Sequence, residues 1–239
     1  MSTQIHPQSI VEDGAQLGEG VVIEAFAMVG RNAIIGDDTI IRHHATVEGK
    51  VVLGKANEIY PYSLIGGLTH DLKFSGGEPA LHIGNRNTFR EYCTAHVATS
   101  DQNKTLIGSD NTFLAYSHVA HDCIVGDNCI FSNNSTLAGH VTVGNHVILA
   151  GMTAVHQFCT LGQHAFITGG SLVRKDVPPF VKGAREPMSY VGINSIGLRR
   201  RGFTSEKIRE IQNIYRILYQ KSYNNTQAVR FIEADMEAT

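Results

Sequence analysis

Counted from Ile5, every sixth residue is aliphatic as far as Ile65: Ile5, Val11, Leu17, Ile23, Val29, Ile35, Ile41, Val47, Leu53, Ile59 and Ile65. The register lapses, returns in phase at Ile83 and Phe89, lapses again, and then runs unbroken from Ile107 to Val173. Between residues 5 and 173, only Asp71, Gly77, Ala95 and Asp101 depart from Ile, Leu, Val or Phe at these positions. The position four residues later is small, as in Ala15, Ala27, Ala33, Ala45, Cys123, Cys129, Ser135 and Cys159. One large and one small inward position per six residues suit a narrow solenoid interior. Glycine follows the aliphatic position at Gly18, Gly36 and Gly54, then at Gly108, Gly126, Gly144 and Gly162. That spacing of three hexads predicts a three-sided coil with a glycine at one recurring corner, where a Cβ would be crowded. The pattern is that of a parallel β-helix of hexapeptides, each coil adding about 4.8 Å. Spacing is silent on its handedness.

The two lapses predict excursions from the coil, over 66–82 (GGLTHDLKFSGGEPALH) and 97–106 (VATSDQNKTL). Insertions in a solenoid lie on its surface and often carry function. After Val173 the segment DVPPF is expected to end strand pairing, because proline lacks the N–H and restricts its predecessor. A helix is expected from Thr204 or Ser205, with Ile208, Ile211, Ile214, Tyr215 and Leu218 on its apolar side. Asn224-Asn225-Thr226 is expected to break it, and 227–237 to form a short second helix. The domains are therefore a β-helix over 1–186 and a helical domain over 187–239, which caps the open end.

Composition excludes several classes. With 42% hydrophobic and 18% charged residues the chain is not disordered. No apolar run of about 18 residues exists to span a membrane, and the start lacks a signal-peptide pattern, so a cytoplasmic location is expected. A formal net charge of −2 argues against a general nucleic-acid binder. Charge is nonetheless segregated: residues 174–221 carry an excess of Lys and Arg, and the solenoid an excess of acids. The basic segment reads as either a solvated helix face or a landing site for an acidic partner or phosphate ligand.

All four cysteines (Cys93, Cys123, Cys129 and Cys159) fall at small inward positions and read as reduced packing residues. Several of the twelve histidines cluster as His118, His121, His140, His146 and His156. His121 and His140 should meet on successive coils, and Asp122 follows His121 as a possible orienting carboxylate. Three readings stay open on spacing alone: histidines without chemistry, a zinc site, or a general base.

The motifs HVAHDCIVG (118–126), LAGHVTVG (137–144), VHQFCTLG (155–162), HDLKFSGGEP (70–79), DVPPF and GLRRRGF (197–203) together resemble the acyl-[acyl-carrier-protein]–UDP-N-acetylglucosamine O-acyltransferases, which begin lipid A synthesis. The resemblance runs from the first hexad to about residue 221. It implies a left-handed β-helix with a helical C-terminal domain, a homotrimer, and no metal or organic cofactor. UDP-N-acetylglucosamine and a 3-hydroxyacyl-[acyl carrier protein] are the implied substrates, and that carrier is an acidic partner. His121 would be the general base, Asp122 its orienter and the Gly139 N–H the oxyanion donor. His118, His140 and His156 fall on supporting positions; Asp71, Lys73, His96 and Gln157 fall on sugar- and acyl-contacting positions. Asn194, Arg200 and Arg201 match the UDP-binding tail, and Gly169 matches the floor of an acyl groove that glycine leaves open for long chains. The sequence departs from the pattern at Ile196, where an acid is usual, at Val97, where arginine is usual, and at Thr69-His70. Three rivals remain: a related N-acyltransferase, whose extra N-terminal domain finds no room before Ile5; a zinc carbonic anhydrase on the same fold; and a structural solenoid.

Overall fold

The computed structural model describes residues 2–220 and 223–235. Short parallel strands stack into three sheets that form the faces of a triangular prism. The first face runs from Gln4–Ile5 to Phe166–Ile167 and is extended by Val181–Ala184 and Ser189–Ile193. The second runs from Ile10–Val11 to Leu172–Val173, and the third from Gln16–Leu17 to Thr160–Leu161. Each coil pairs in register with the next, for example Ile124 with Thr142 and Val125 with Val143. The hexad aliphatics point inward and are buried from Ile23 to Val173, with Phe89, Phe113 and Phe131 stacked at the centre, ring centroids 4.5 and 4.7 Å apart. All four cysteines are buried free thiols. Burial pushes Cys123 up to about 12 and Cys93 and Cys129 up to about 11, so these thiols stay protonated and unreactive.

The recurring glycines are required by close approach between coils. A Cβ on Gly108 would fall 2.7 Å from the carbonyl oxygen of Gly126 and also collide with the Asp127 side chain. The turn conformation itself is carried elsewhere, by non-glycine residues with positive φ such as Asp122 (57°), His140 (61°) and Phe158 (66°). Their strain is offset by the bond each N–H makes to the coil before it: His140 to the His121 carbonyl at 3.1 Å, Phe158 to that of Gly139 at 3.2 Å.

Both excursions leave the same edge, between the second and third faces, and both are shorter than expected. Strands Leu64–Gly67 and Ala80–Ile83 reclaim the ends of the first, leaving 68–79 as loop; Thr94–His96 and Lys104–Ile107 bracket the second. Strand pairing also outlasts Val173, contrary to expectation. Val177 bridges Leu161, and Val181–Ala184 adds in parallel to Phe166–Ile167. Pro178 and Pro179 sit in the turn between them, where no ladder donor is needed, and Val177, just before them, keeps its own N–H bond to Thr160 at 2.8 Å. The hairpin of Val181–Ala184 with Ser189–Ile193 spans the expected domain boundary at 186/187.

Three helices follow: α1 (Ser195–Arg200), α2 (Ser205–Gln220) and α3 (Asn225–Asp235). The sequence reading missed α1, whose single turn and a half carries too little periodicity to register. Thr204 caps α2 by accepting the Lys207 N–H at 3.2 Å, as expected. Asn224 caps α3 by accepting the Gln227 N–H at 2.9 Å, so the Asn-rich segment starts the last helix rather than preceding it. Ile208, Ile211 and Tyr215 bury α2 against the end of the solenoid, and the Tyr215 hydroxyl donates to the Pro179 carbonyl.

Gly108→Ala should destabilise the protein by about 1–3 kcal/mol, the usual range for overpacking. Denaturant unfolding checks this; an unchanged midpoint would show that the coil spacing relaxes freely.

Candidate functional site

The edge from which both excursions emerge is also where His121 and Asp122 turn from the second face to the third. Because coils stack in register, His121, Gly139 and Gln157 form one column on this edge, and Asp122, His140 and Phe158 the next. His121 Nδ1 lies 2.9 Å from Asp122 Oδ2. The same oxygen accepts the Thr99 hydroxyl at 2.7 Å, and the Asp122 N–H donates to the Thr105 hydroxyl at 2.9 Å. The Asp122 side chain is only 5% exposed. Burial pushes its carboxyl up, but the bonds from Thr99 and His121 outweigh that and hold it below the usual carboxylate range. Asp122 is thus an ionised acceptor that fixes the proton of His121 on Nδ1 and leaves Nε2 as the basic nitrogen.

His140 crosses His121 edge-on with centroids 5.1 Å apart, as the spacing predicted, and stacks on Phe158 at 4.7 Å. The His121 ring lies directly over Gly139, where any Cβ would overlap it. The Gly139 N–H also has no protein acceptor among the described residues. Far down the same column the Arg31 N–H is capped by the Glu12 carboxylate at 2.9 Å, an acid that the site's coils do not carry at the matching position. A free N–H beside a basic imidazole is the pair that attack on a carbonyl needs.

His121, His140 and Phe158 line a cavity of about 510 Å³. The first excursion brings His70, Asp71 and Lys73 to its wall, and the coils supply His96, His118, His140 and Gln157. Asp71 anchors its own loop, its Oδ1 accepting the Lys73 N–H at 2.9 Å. His70, His96 and His118 pack ring against ring, His70 and His96 at 4.2 Å and His96 and His118 at 4.8 Å. Burial, reinforced by the neighbouring imidazoles, pushes His96 down to about 3 and His118 down to about 4. Both are neutral at neutral pH.

The remaining predicted residues lie elsewhere. His156 is exposed next to this edge, its Nδ1 3.1 Å from the Gln157 carbonyl oxygen, and does not line the cavity. Asn194 and Arg200 line a second cavity of about 410 Å³ on the first face, together with Phe166 and Lys182. Asn194 is committed at both ends of its amide: it caps α1 by accepting the Gly197 N–H at 3.1 Å and donates to the His164 carbonyl at 3.0 Å. Ile196, at the departure noted above, is an exposed apolar residue in this wall. Arg201 is partly buried instead, and its charge acts on His146 and His164. Gly169 lies on the edge between the first and second faces, three coils beyond the strand that holds His118. Val97, at the other departure, is buried in the core.

Sequence reasoning missed Thr99, Thr105 and Phe158 as members of the site, and noted His70 only as a departure. Thr99 had no sequence signal, because its partner lies 23 residues away across an excursion. Phe158 was accessible from the column rule, one coil beyond His140, whereas Thr105 stands in the small inward column of Cys123 and reads from sequence as packing.

A family model described as UDP N-acetylglucosamine O-acyltransferase, domain 2, matches residues 176–239, and a bacterial transferase hexapeptide model matches 104–139. The acyl-[acyl-carrier-protein]–UDP-N-acetylglucosamine O-acyltransferase of Herminiimonas arsenicoxydans is 44% identical over 219 residues, covering 91% of this chain and 84% of the relative. Its counterpart from Verminephrobacter eiseniae is 42% identical over 220 residues, covering 92% and 84%. Among solved structures, the UDP-N-acetylglucosamine acyltransferase of Francisella novicida superposes with a TM-score of 0.93 at 36% identity, covering 97% of this chain and 85% of that one. That of Bacteroides fragilis gives 0.94 at 38%, covering 99% and 92%. The prism is accordingly the left-handed parallel β-helix with a small helical C-terminal region. From the paired hexads to the helical tail, this chain belongs to the acyl-[acyl-carrier-protein]–UDP-N-acetylglucosamine O-acyltransferase family.

Proposed function

We propose that the protein transfers a 3-hydroxyacyl chain from acyl carrier protein to the 3-hydroxyl of UDP-N-acetylglucosamine, the opening step of lipid A synthesis, with His121 as general base. The observation that carries the assignment of the base is the His121–Asp122 pair, braced by Thr99 and set over the free N–H of Gly139. His121 Nε2 takes the proton of the sugar hydroxyl as its oxygen attacks the thioester carbonyl carbon. The carbonyl oxygen becomes an oxyanion and accepts from the Gly139 N–H. Collapse breaks the C–S bond, and the imidazolium returns the proton to the leaving thiolate. The acyl group arrives activated, so the step calls for no metal or organic cofactor. The buried thiols suit the reducing cytoplasm, where we place the enzyme.

The two cavities lie on the first face and on the edge opposite it, facing apart within one chain. A homotrimer, in which a face of one subunit meets an edge of the next, would let a single sugar nucleotide meet both. The basic 174–221 segment would steer the acidic carrier to the same interface. Gly169 serves as the end of the acyl groove in this reading. Its φ is ordinary, while Gly170 beside it carries the turn at +70°, so the absence of a side chain at 169 is not a demand of the turn. Three coils separate it from the base, roughly 14 Å along the axis.

His121→Ala should lower turnover by about 10²–10⁴-fold while the fold survives. A mass-resolved assay with UDP-N-acetylglucosamine and acyl carrier proteins of different chain length reads this directly; turnover within about threefold of wild type would remove His121 from the role. Arg200→Ala should raise KM for the sugar nucleotide more than it lowers kcat, since a diphosphate contact remote from the reacting bond binds ground and transition states alike. Steady-state kinetics in which only kcat falls would assign Arg200 elsewhere. Gly169→Met should move the preferred donor to a shorter acyl chain with activity on that donor retained. A Cβ there stands 3.1 Å from the Gly151 carbonyl oxygen, a contact that a small shift relieves. A folded variant with unaltered chain-length preference would sink the groove assignment.

A further inference from the structure

We propose that His121, Asp122 and His140 form a binding site for a divalent transition-metal ion, of which Zn²⁺ is the fitting example, and that occupancy switches acyl transfer off. The inhibitory half of this rests on His121 being the base; the metal-binding half does not. One donor atom from each residue lies within 4.8 Å of the others. The short edges are His121 Nδ1 to Asp122 Oδ2 at 2.9 Å and His140 Nε2 to Asp122 Oδ2 at 3.9 Å. Ligands about 2.1 Å from a tetrahedral zinc stand roughly 3.4 Å apart. These two edges bracket that value and the edge between the two imidazoles lies within 4.8 Å, so rotation of the rings draws the three donors toward one ion.

Two imidazoles and a carboxylate are a donor set that zinc takes, and both imidazoles line the cavity of about 510 Å³ through which an ion would arrive. Access is sufficient: the side chains of His121 and His140 are 14% and 34% exposed. Thr99 still holds Asp122 by its hydroxyl, as an outer-shell donor orients a ligating carboxylate.

Inhibition follows from the tautomer. In the metal-free site the proton of His121 sits on Nδ1, facing Asp122, and Nε2 is free to accept. A metal bound at Nδ1 sends that proton to Nε2, and Asp122 changes from hydrogen-bond acceptor to ligand. No proton is lost, but the nitrogen that must take one from the sugar hydroxyl already carries one. The ion thereby disables the base without touching either substrate.

A competing site exists on the far edge. His43 and His44 bring their Nδ1 atoms within 3.0 Å on an exposed corner. The test separates the two. Enzyme stripped with EDTA is titrated with Zn²⁺ by calorimetry, in wild type and in His140→Ala, Asp122→Asn and His44→Ala. The proposal expects one ion per chain. It expects the first two substitutions to weaken binding by more than the roughly 10–100-fold that loss of an outer-shell partner costs, and His44→Ala to leave it unchanged. Acyl transfer by wild type should fall on adding Zn²⁺ and return with EDTA. Because Asp122→Asn risks misfolding, Co²⁺-loaded wild type is also read by visible absorption, which reports a low-coordinate nitrogen–oxygen site. Absence of binding, or binding lost only in His44→Ala, overturns the proposal. Turnover of His121→Ala in metal-free buffer judges the base separately: an active variant whose wild type still binds zinc at this site would overturn the base and the inhibition, and leave the metal site standing.

Discussion

Everything in this protein depends on one constraint: each coil hydrogen-bonds in parallel register to the coil before it, about 4.8 Å away. Residues that share a hexad position must therefore stand in columns. Inward columns become the core, where Phe89, Phe113 and Phe131 stack. One column becomes a buried amide ladder, with Asn57 Oδ1 accepting the Asn87 N–H and Asn87 Oδ1 accepting the Asn111 N–H, both at 2.9 Å. The corner column must be glycine, since a Cβ would collide with the backbone of the next coil and with the side chain at its corner. Strict repetition of this kind resists variation everywhere except at the outward positions of the edges.

Function occupies such positions on a single edge. There the column that holds Arg31 earlier in the chain is occupied by His121, Gly139 and Gln157, and the N–H of Gly139 has no acceptor among the described residues. Both excursions open on this edge, and the coil pairing resumes in phase after each: Ala80 pairs with Lys50 on one side and with Lys104 on the other. The solenoid therefore carries loops without any slip in its core. The loops contribute His70, Asp71, Lys73 and Thr99, which no hexad position supplies. Burial sorts the charges: it keeps His96 and His118 neutral, while hydrogen bonds keep Asp122 ionised, so a single carboxylate governs the tautomer of His121. The ion site proposed above is the same geometry seen by a metal in place of a proton.

Much of this was legible in the order of residues. The period of six assigned the buried positions, the spacing of eighteen assigned the faces, and that spacing alone brought His121 to His140. The four cysteines were correctly read as packing groups from their register. Legibility failed where the period did. The ends of the excursions were misjudged by a few residues, because Gly66, Gly67, Leu81 and His82 continue strands without an obvious hexad. DVPPF concealed two further strands, because proline forbids a donor only at its own position. Helix α1 was too short to show a period.

The sequence by itself determined the coil, the core, the glycine corners and the cap of α2, since each follows from a local repeat or from hydrogen bonds within a few residues. It also carried the motifs that place the chain in its family. Only the tertiary structure decided that Thr99 braces Asp122, that His70 joins His96 and His118, that the Gly139 N–H is uncapped, and that Arg200 and Arg201 point to different surroundings. These are contacts between loops, or between coils and the cap, and they depend on how far an aperiodic segment reaches in space. Periodicity fixes where a residue stands on a repeating frame; once the chain leaves that frame, only its packing says what it touches.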